Sequence, residues 1–328
     1  MSEKSYTFIQ KLSLGGNEVD IERVVSLSYT EMLDLSGPSI ILEIRDEQSF
    51  IRDNYGLMAG SEIIMELGDV HGVGDELFEE TFIVSAYPVE NDIITIEGFQ
   101  KDCHNIKTPA GKPIFFVDKP PAVIIKALLP GLVVDSSINV RGTYHLNQGK
   151  TPARLLRDLA RDNGAACWIC RGTVYFKSLA SLLTGTALLK MGLNSFDADI
   201  NIQRYNYINN SALFERALHK SYSAWTTNAR HKHSSTHKDK QSVLLGYPVT
   251  PQQLNNQSLY VQPLIDVVTL GDSRFTPGVI FDLEIVKLSS DAAIDESVDK
   301  QLFINTITHY TKGSKYNNRM VLGASNGT

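Results

Sequence analysis

The feature that most constrains this chain is a strand pattern that occurs twice, once near each end. In the first copy Gly60 leads into the strand-like stretch SEIIMEL, and in the second Gly278 leads into VIFDLEI. After a polar loop, each copy continues with a hairpin whose first strand carries Phe82 or Phe303. The spacing from glycine to phenylalanine is 22 residues in the first copy and 25 in the second. The pattern predicts a duplicated β-scaffold, and a chance likeness between ordinary hairpins is the alternative.

Strand alternation places every second side chain of these hairpins on one face. The matching faces are Phe82, Val84 and Ala86 in the first copy, and Phe303, Asn305 and Ile307 in the second. All but Asn305 suit the interior of a small barrel. We therefore expect two related tube-type β-barrels, with Asn305 as the polar exception.

The pattern between the two copies changes to helices and a hairpin. TPARLLRDLARDNG (151–164) predicts a helix, with Thr151 as N-cap, Pro152 at the first helical position and Gly164 as the stop. DKPPAVIIKALLPG (118–131) predicts a shorter helix. AACWICRGTVYFKS, which begins at residue 165, predicts a hairpin that turns at Arg171-Gly172.

These patterns predict a β-rich α+β fold in which two tube-type β-barrels are joined by a helix-plus-hairpin α/β module. The expected domains are a first barrel at 1–112, the α/β module at 113–185 and a second barrel at 186–328. Residues 219–258 are rich in His, Lys, Ser, Asn and Gln, and we interpret them as a long polar loop inserted in the second barrel.

Composition and charge exclude several classes of protein. The net charge of −6 and pI of about 5.8 argue against a general nucleic-acid binder, yet an acidic wall suits nucleic acid that passes without sticking. The sequence shows neither a signal peptide nor a stretch of about 18 apolar residues, which predicts no membrane insertion. With only three cysteines we expect no disulfide framework and a reducing compartment.

Cys167 and Cys170 form a CxxC pair within the predicted hairpin. Residues i and i+3 of a strand point to opposite faces, so the two sulfurs are badly placed to share a disulfide or a metal. The sequence also has no second CxxC to complete a zinc site. We favour buried cysteines of a core strand over a redox or zinc site.

A group of three histidines and one single histidine are candidate metal-binding or catalytic residues. His231, His233 and His237 lie within seven positions, and a His-x-His pair on a strand is a candidate for a transition metal. We favour a solvated basic loop there, and predict no metal and no other cofactor. His309, beside Thr308, is interpreted as a hydrogen-bonded strand histidine at a barrel end. The sequence shows no GxSxG, HExxH, phosphate-loop or dinucleotide motif, so no catalytic or cofactor-binding residue is assigned and no enzyme activity is predicted.

The helix-hairpin run TPARLLRDLARDNGAACWICRGTVYF resembles the corresponding module of phage tail baseplate hub proteins. The closing run from LGDSRFTPGVIFDLEI to NNRMVLGA is similar to the last barrel of that family, in which a strand ending in Thr-His precedes the final strand. Thr308-His309 occupies that place, and QRYNYINN (203–210) fits the strand that enters the second barrel. The family includes hubs of contractile phages and tailocins and the N-terminal part of VgrG spikes of type VI secretion.

The resemblance covers most of residues 20–328, although the 219–258 insertion matches no family motif. No oligonucleotide-fold domain or needle follows the final strand, which favours a phage-like system with a separate spike. The resemblance implies a homotrimer whose two barrels per subunit make a ring of six similar units. That ring would join a hexameric tail tube to a trimeric central spike, and genomic DNA would pass through its lumen without specific binding.

Wedge and tape-measure proteins are further expected partners, and the expected location is the tail baseplate of a virion assembled in the bacterial host cytoplasm. The alternative is a tail-tip carbohydrate-binding or hydrolytic protein, which would show an exposed aromatic platform or a carboxylate pair at a cleft. A metal-dependent enzyme that uses the 231–237 histidines is the third hypothesis.

Overall fold

Antiparallel strands build most of the molecule, in a computed structural model that describes residues 8–70, 77–208, 220–225, 230–234, 242–286 and 300–326. Helices are few and short, which confirms the predicted β-rich fold class. In residues 8–112 the helices are α1 (Phe50–Asn54) and α2 (Lys101–Asn105). The strands there are β1 (Ile9–Leu14), β2 (Asn17–Glu18), β3 (Val24–Met32), β4 (Ser39–Arg45), β5 (Glu62–Leu67), β6 (Phe78–Ala86), β7 (Val89–Glu90) and β8 (Ile93–Gln100).

The middle segment contains the two predicted helices and the predicted hairpin. Its elements are β9 (Ile114–Lys119), α3 (Pro121–Leu128), β10 (Val133–Ser136), β11 (Gly142–Leu146), α4 (Pro152–Asp162), β12 (Ala165–Cys170) and β13 (Thr173–Ser178). The N–H of Arg154 donates to the Thr151 hydroxyl, and Gly164 takes a left-handed φ of 58°, so both predicted ends of α4 are confirmed. Strand β13 lies between β10 and β12, whereas β9 and β11 form a separate ribbon.

The described residues of the last segment form the remaining strands and one helix. They are β14 (Leu189–Leu193), β15 (Ile200–Asn201), β16 (Arg204–Tyr207), β17 (Ser221–Trp225), β18 (His231–His233), β19 (Ser242–Leu244), α5 (Pro251–Asn256), β20 (Val261–Leu270), β21 (Ile280–Ile285), β22 (Gln301–Lys312) and β23 (Lys315–Ser325). Short 3-10 turns lie at Ile21–Arg23, Glu47–Ser49 and Leu179–Ser181.

The strands of the first segment and those of the last segment, except β17, β18 and β19, belong to one hydrogen-bonded sheet. Its main path runs β15-β14-β21-β22-β3-β4-β8-β6-β5-β1-β2, while β23, β20 and β16 continue from the other side of β22. Strands β3 and β22 join the segments through seven antiparallel residue pairs, from Thr306 opposite Met32 to Lys312 opposite Ser26. In the last segment β14 pairs with β15, and β20 pairs with β16. Because only two residues separate β15 from β16, the two ends of this part of the sheet lie close together and the sheet wraps around its core.

Five strands in each segment follow the same antiparallel order, β3-β4-β8-β6-β5 in the first and β16-β20-β23-β22-β21 in the second. Gly60 and Gly278 have φ values of 92° and 87°, a conformation that favours glycine. Their N–H groups donate to the carbonyls of Val84 and Ile304, both at 2.8 Å. The orders diverge at the next strand, because β1 runs antiparallel to β5 and β14 runs parallel to β21.

The sequence pattern matches Phe82 with Phe303, but the hydrogen bonds of Gly60 and Gly278 show that this match is wrong by one residue. Val84 corresponds to Ile304, so Phe82 corresponds to Leu302, and each strand has an irregularity at the next residue, Ser85 or Asn305. This bulge changes which face the following residues occupy. Leu302, Ile304 and Ile307 therefore face the core of the last segment, while Phe303 points to the opposite side.

The polar insertion differs from the long loop that the sequence predicts. Its described residues form the three-stranded sheet β18-β17-β19 and the helix α5, around a small core of Ala224, Val249 and Leu254. Thr250 caps α5 by accepting a hydrogen bond from the N–H of Gln253, whose side chain accepts one from the Thr250 N–H. This capping box and the alternating SYSAW run are local signals that outweigh the polar composition.

Candidate functional site

The first, middle and last segments meet in one apolar cluster. It lies beside the paired strands β3 and β22, which we call the β3–β22 seam. Leu33 comes from the first segment, Trp168 from β12, and Phe303 from β22. Phe303 is completely buried, and the indole of Trp168 stacks on Tyr175 with ring centroids 4.9 Å apart. The cluster makes the middle segment part of the same packed body as the two sheet segments.

A buried charged network, which we call the junction network, lies next to this cluster. Its centre is Glu31 of β3, whose side chain has no solvent exposure. The Arg171 guanidinium donates to both carboxylate oxygens of Glu31 at 3.3 Å, and to the carbonyl of Ser273 at 2.7 Å. Because these residues belong to three segments, the network ties all of them together.

His309 of β22 completes the junction network. Its Nε2 lies 3.5 Å from the Glu31 carboxylate, and its Nδ1 lies 2.7 Å from the Tyr316 hydroxyl. The same Nε2 atom faces two groups, the Glu31 carboxylate, which only accepts hydrogen bonds, and the Arg171 guanidinium, which only donates and lies 3.5 Å away. Phe8 stacks on the imidazole at a centroid distance of 4.4 Å.

Local strand geometry explains how the network forms. Leu27, Tyr29 and Glu31 alternate along β3 and all point inward, and the Tyr29 hydroxyl donates to Glu31 at 2.8 Å. Arg171 occupies the tight turn between β12 and β13, with φ of 47°, which directs its side chain away from the hairpin. His309 follows Ile307 on the inward face of β22.

The protonation states in this region are set by burial and by the neighbouring charges. Burial opposes the charged form of Glu31, but Arg171 and His309 outweigh it and lower the pKa of Glu31 to about 2. Burial lowers the pKa of His309, which leaves the imidazole neutral at pH 7. Burial and the nearby Glu31 charge raise the pKa of Glu80 to about 8, so that carboxyl is protonated at pH 7.

These two carboxyl groups predict opposite pH dependences. Since the folded pKa of Glu31 lies below its usual 4.5, its contribution to stability is present above pH 4.5 and is lost as pH falls toward 2. Since the folded pKa of Glu80 lies above 4.5, stability falls as pH rises from 4.5 to 8.

Glu80→Gln is expected to flatten the alkaline side of the stability profile, because glutamine imitates the neutral carboxyl and does not ionise in the unfolded chain. Chemical denaturation at pH 4.5, 6 and 8 measures the effect. The exposed neighbour Glu79 supplies the control, Glu79→Gln, which is expected to change stability by less than about 0.5 kcal/mol. An unchanged difference between pH 4.5 and pH 8 in Glu80→Gln would contradict the assignment of a protonated Glu80.

The junction network suits a structural role better than a catalytic one. Glu31 and His309 have no exposed side-chain surface, so a substrate has no access to them. The Cys170 thiol donates to Glu31 at 3.0 Å, and burial holds its pKa well above the usual range, which disfavours the nucleophilic thiolate. The network therefore fixes the relative position of three segments.

Cys167 and Cys170 are buried on opposite faces of β12, which confirms the interpretation of core cysteines. Thr308 lies on the outer face of β22, where its hydroxyl is 3.0 Å from that of Thr30 across the seam.

His231 and His233 are exposed on β18 with ring centroids 5.0 Å apart, and His237 lies outside the described residues. Within the described ranges, no three His, Cys, Asp or Glu side chains are grouped to hold a metal.

A cleft of about 440 Å³ lies between β11, α4 and the chain before α5, and we call it the α4 cleft. Asp158, Asp162, Tyr144 and Tyr247 are among its lining residues. Both carboxylates are already engaged, Asp158 with Arg161 at 3.9 Å and Asp162 with the Tyr144 hydroxyl at 3.2 Å.

Glu31 and Arg171 are site residues that the sequence patterns do not predict, although each carries a local signal. A glutamate on the apolar face of an alternating strand requires a buried partner. Arg171 was considered only as a turn residue. The pairing of the two depends on tertiary contact over 140 positions of sequence, which no local pattern reveals.

Solved structures with a similar fold include phage tail proteins. A tail protein from Neisseria meningitidis MC58 is similar over 97% of both chains, with a TM-score of 0.68 and 11% identity. The 43 kDa tail protein of prophage MuSo2 from Shewanella oneidensis is similar over 96% of this chain and 97% of its own, with a TM-score of 0.65 and 12% identity. A Francisella PdpA-VgrG complex structure gives a TM-score of 0.50 at 11% identity, over 97% of this chain and 57% of the other.

No family model and no curated protein matches the chain by sequence. The resemblance to phage tail and VgrG-related proteins is confirmed at the level of the fold, and the chain has the fold of a phage tail structural protein. Among the described residues, no helix is both long and apolar enough to cross a membrane.

Proposed function

We propose that this protein is the structural baseplate hub of a phage or phage-like contractile injection tail. In this role it forms a homotrimer that joins a hexameric tail tube to a trimeric central spike and surrounds the passage for DNA. It resides in the tail baseplate of the virion, assembles in the host cytoplasm and has no enzymatic activity. The observation that carries the proposal is a tail-protein fold over the whole chain that contains the same five-strand order twice.

The duplication allows a trimer to match partners of six-fold and of three-fold symmetry. Three copies of a chain that contains two similar sheet units present six similar units around one axis. Such a ring matches a six-fold tube on one side and a three-fold spike on the other. The two units differ in one strand pairing, because β1 runs antiparallel to β5 whereas β14 runs parallel to β21. Such differences then distinguish alternate positions of the ring.

The junction network and the acidic charge support the same role. A coupling ring between tube and spike transmits force, and Glu31, Arg171 and His309 hold its three segments in one orientation. The net charge of −6 disfavours adhesion of DNA phosphates to the wall of a passage. Further contacts with wedge and tape-measure proteins belong to the proposal.

The solution mass tests the proposal directly. Light scattering is expected to give a mass near three times the 36.4 kDa of the chain. Averaged electron images of that species are expected to show a ring of six-fold outline with a central opening. A monomer that stays monomeric when a candidate spike protein is added would contradict the hub and favour a tail-tip binding protein.

A further inference from the structure

Phe196 is the most exposed large apolar side chain among the described residues, with a relative exposure of 109%. It lies in the turn between β14 and β15, which we call the Phe196 turn (residues 194–199). A phenyl ring that makes no burying contact in its own chain costs solvation free energy, and aromatic rings of this kind are the anchors of protein interfaces.

The turn that carries Phe196 is held rigidly. Lys190 of β14 forms ion pairs with Asp197 at 2.7 Å and with Glu284 of β21 at 2.6 Å. The Ser195 hydroxyl lies 2.8 Å from both of these carboxylates. A fixed turn loses little conformational entropy on binding, so it suits insertion into a partner.

Gly192 lets the turn fold back onto β14. A Cβ atom at this position would lie 2.6 Å from the Cβ of Ala198, which is closer than real Cβ atoms approach. The position is therefore restricted to glycine by the close packing of the turn. This packing presents the ring of Phe196 outward instead of letting it collapse onto the strand.

The Phe196 turn carries net negative charge. Asp197, Asp199 and Glu284 supply three carboxylates against the single ammonium of Lys190, and the Asp199 carboxylate accepts the N–H of Lys190 at 2.8 Å. The contacts with Lys190 lower the pKa of Asp197 and of Glu284, so these groups keep their charge at neutral pH. A partner for this apolar tip needs a basic rim.

The α4 cleft offers an apolar pocket with such a rim. Leu146, Leu155, Tyr247 and Pro248 provide apolar lining. Arg154, Arg157 and Arg161 are the exposed side chains of α4, and Lys150 at the cleft is exposed as well. Asp158 and Asp162 also line the cleft, and Asp158 pairs with Arg161. The four cations on and next to α4 outnumber the two carboxylates at the cleft, and a volume of about 440 Å³ lies within the range of ligand pockets.

We propose that Phe196 of one copy inserts into the α4 cleft of a neighbouring copy. The inference rests on the proposed trimeric hub and names its subunit contact. The two surfaces occur on the same chain, carry opposite charge, and lie on different segments. A contact between different surfaces is heterologous and runs head to tail, which is the kind that closes into a three-membered ring.

The first test compares two serine substitutions at exposed apolar positions of the last segment. Phe196→Ser is expected to weaken self-association at least about tenfold, as loss of an aromatic anchor does. Leu270→Ser, at a side chain with 67% exposure, removes similar apolar surface and is expected to leave self-association unchanged. Sedimentation over a concentration series measures both, and matching circular dichroism spectra show that the variants fold.

The second test uses engineered disulfides. The native cysteines Cys103, Cys167 and Cys170 are buried, so new surface cysteines react selectively. A mixture of Phe196→Cys and Tyr247→Cys is expected to form a disulfide-linked dimer on mild oxidation, in excess of either variant alone. Arg154→Glu, at the rim of the cleft, is expected to weaken association of the otherwise unchanged chain.

The outcomes separate this contact from the hub proposal. A wild-type trimer that Phe196→Ser leaves intact, with no mixed disulfide, overturns the contact and leaves the hub standing. If Phe196→Ser keeps the trimer but loses binding of tube or spike protein, Phe196 serves a different partner and the contact is also overturned. A wild-type monomer, even with spike protein present, overturns both proposals.

Discussion

Arg171→Met is expected to lower the free energy of unfolding by about 3–5 kcal/mol, because it leaves the Glu31 carboxylate charged and buried without its main partner. Arg171 reaches Glu31 with two nitrogens, and the neutral His309 at 3.5 Å cannot replace its positive charge. Methionine keeps most of the length and apolar surface of the arginine stem. The loss of unfolding free energy therefore measures the effect of removing the guanidinium charge. Urea denaturation monitored by intrinsic fluorescence measures it.

The matched control is Arg141→Met, which removes the same side chain from an exposed ion pair. Arg141 contacts Asp118 at 3.0 Å, and both side chains are more than half exposed, so water screens the charges. A loss of about 1 kcal/mol or less is expected there. Adding Glu31→Gln to Arg171→Met should recover part of the stability, because the unpaired charge is gone. Equal losses in the two arginine variants, without recovery in the double variant, would show that the junction network does not stabilise the fold.

Phe303→Ala is expected to cost about 3–5 kcal/mol, because it opens a cavity in the apolar cluster where the three segments meet. Phe303 is fully buried there and packs in the same cluster as Trp168 and Leu33. Hydrogen exchange is expected to rise most in β12 and in the β3–β22 seam, since these elements surround the cavity. Chemical denaturation gives the total loss.

Phe115→Ala is the control, since Phe115 lies on the outer face of the β9–β11 ribbon with 69% exposure. Its expected effect is within about 0.5 kcal/mol. A loss below about 1 kcal/mol for Phe303→Ala would mean that the segments are held together by the sheet seam alone, and that the cluster adds little.

Local chemistry predicts much of this fold from the sequence. Thr151, Pro152 and Gly164 bracket α4 because capping and left-handed backbone depend only on neighbouring residues. The Arg171-Gly172 turn likewise has positive φ at both residues, which a two-residue hairpin requires. Side-chain alternation also indicates the strand β4, whereas β12 is buried on both faces and shows no alternation.

Other parts of the fold depend on contacts that the sequence does not display. Leu302 takes the place that the pattern assigns to Phe303, because Phe281 pairs with Leu302 as Ile63 pairs with Phe82. The bulge at Asn305 then brings Ile307 to the same face as Leu302 and Ile304. A bulge is fixed by the pairing of two strands and has no strong signal in either strand alone. The junction network escapes local analysis for the same reason, since Glu31 and His309 meet only when β3 and β22 pair.

The β3–β22 seam sets an order of events during synthesis. Seven residue pairs join β3 to a strand almost 280 positions later, so the hydrogen-bonding edge of β3 that faces β22 stays open until most of the chain has left the ribosome. An open edge strand is a template for pairing with another nascent chain. Ser26, Ser28 and Thr30 point outward along this strand, and a row of small hydroxyl side chains attracts fewer apolar contacts than the usual valine or isoleucine. The outer face of β3 therefore offers little apolar surface to a second nascent chain before its own last strands are made.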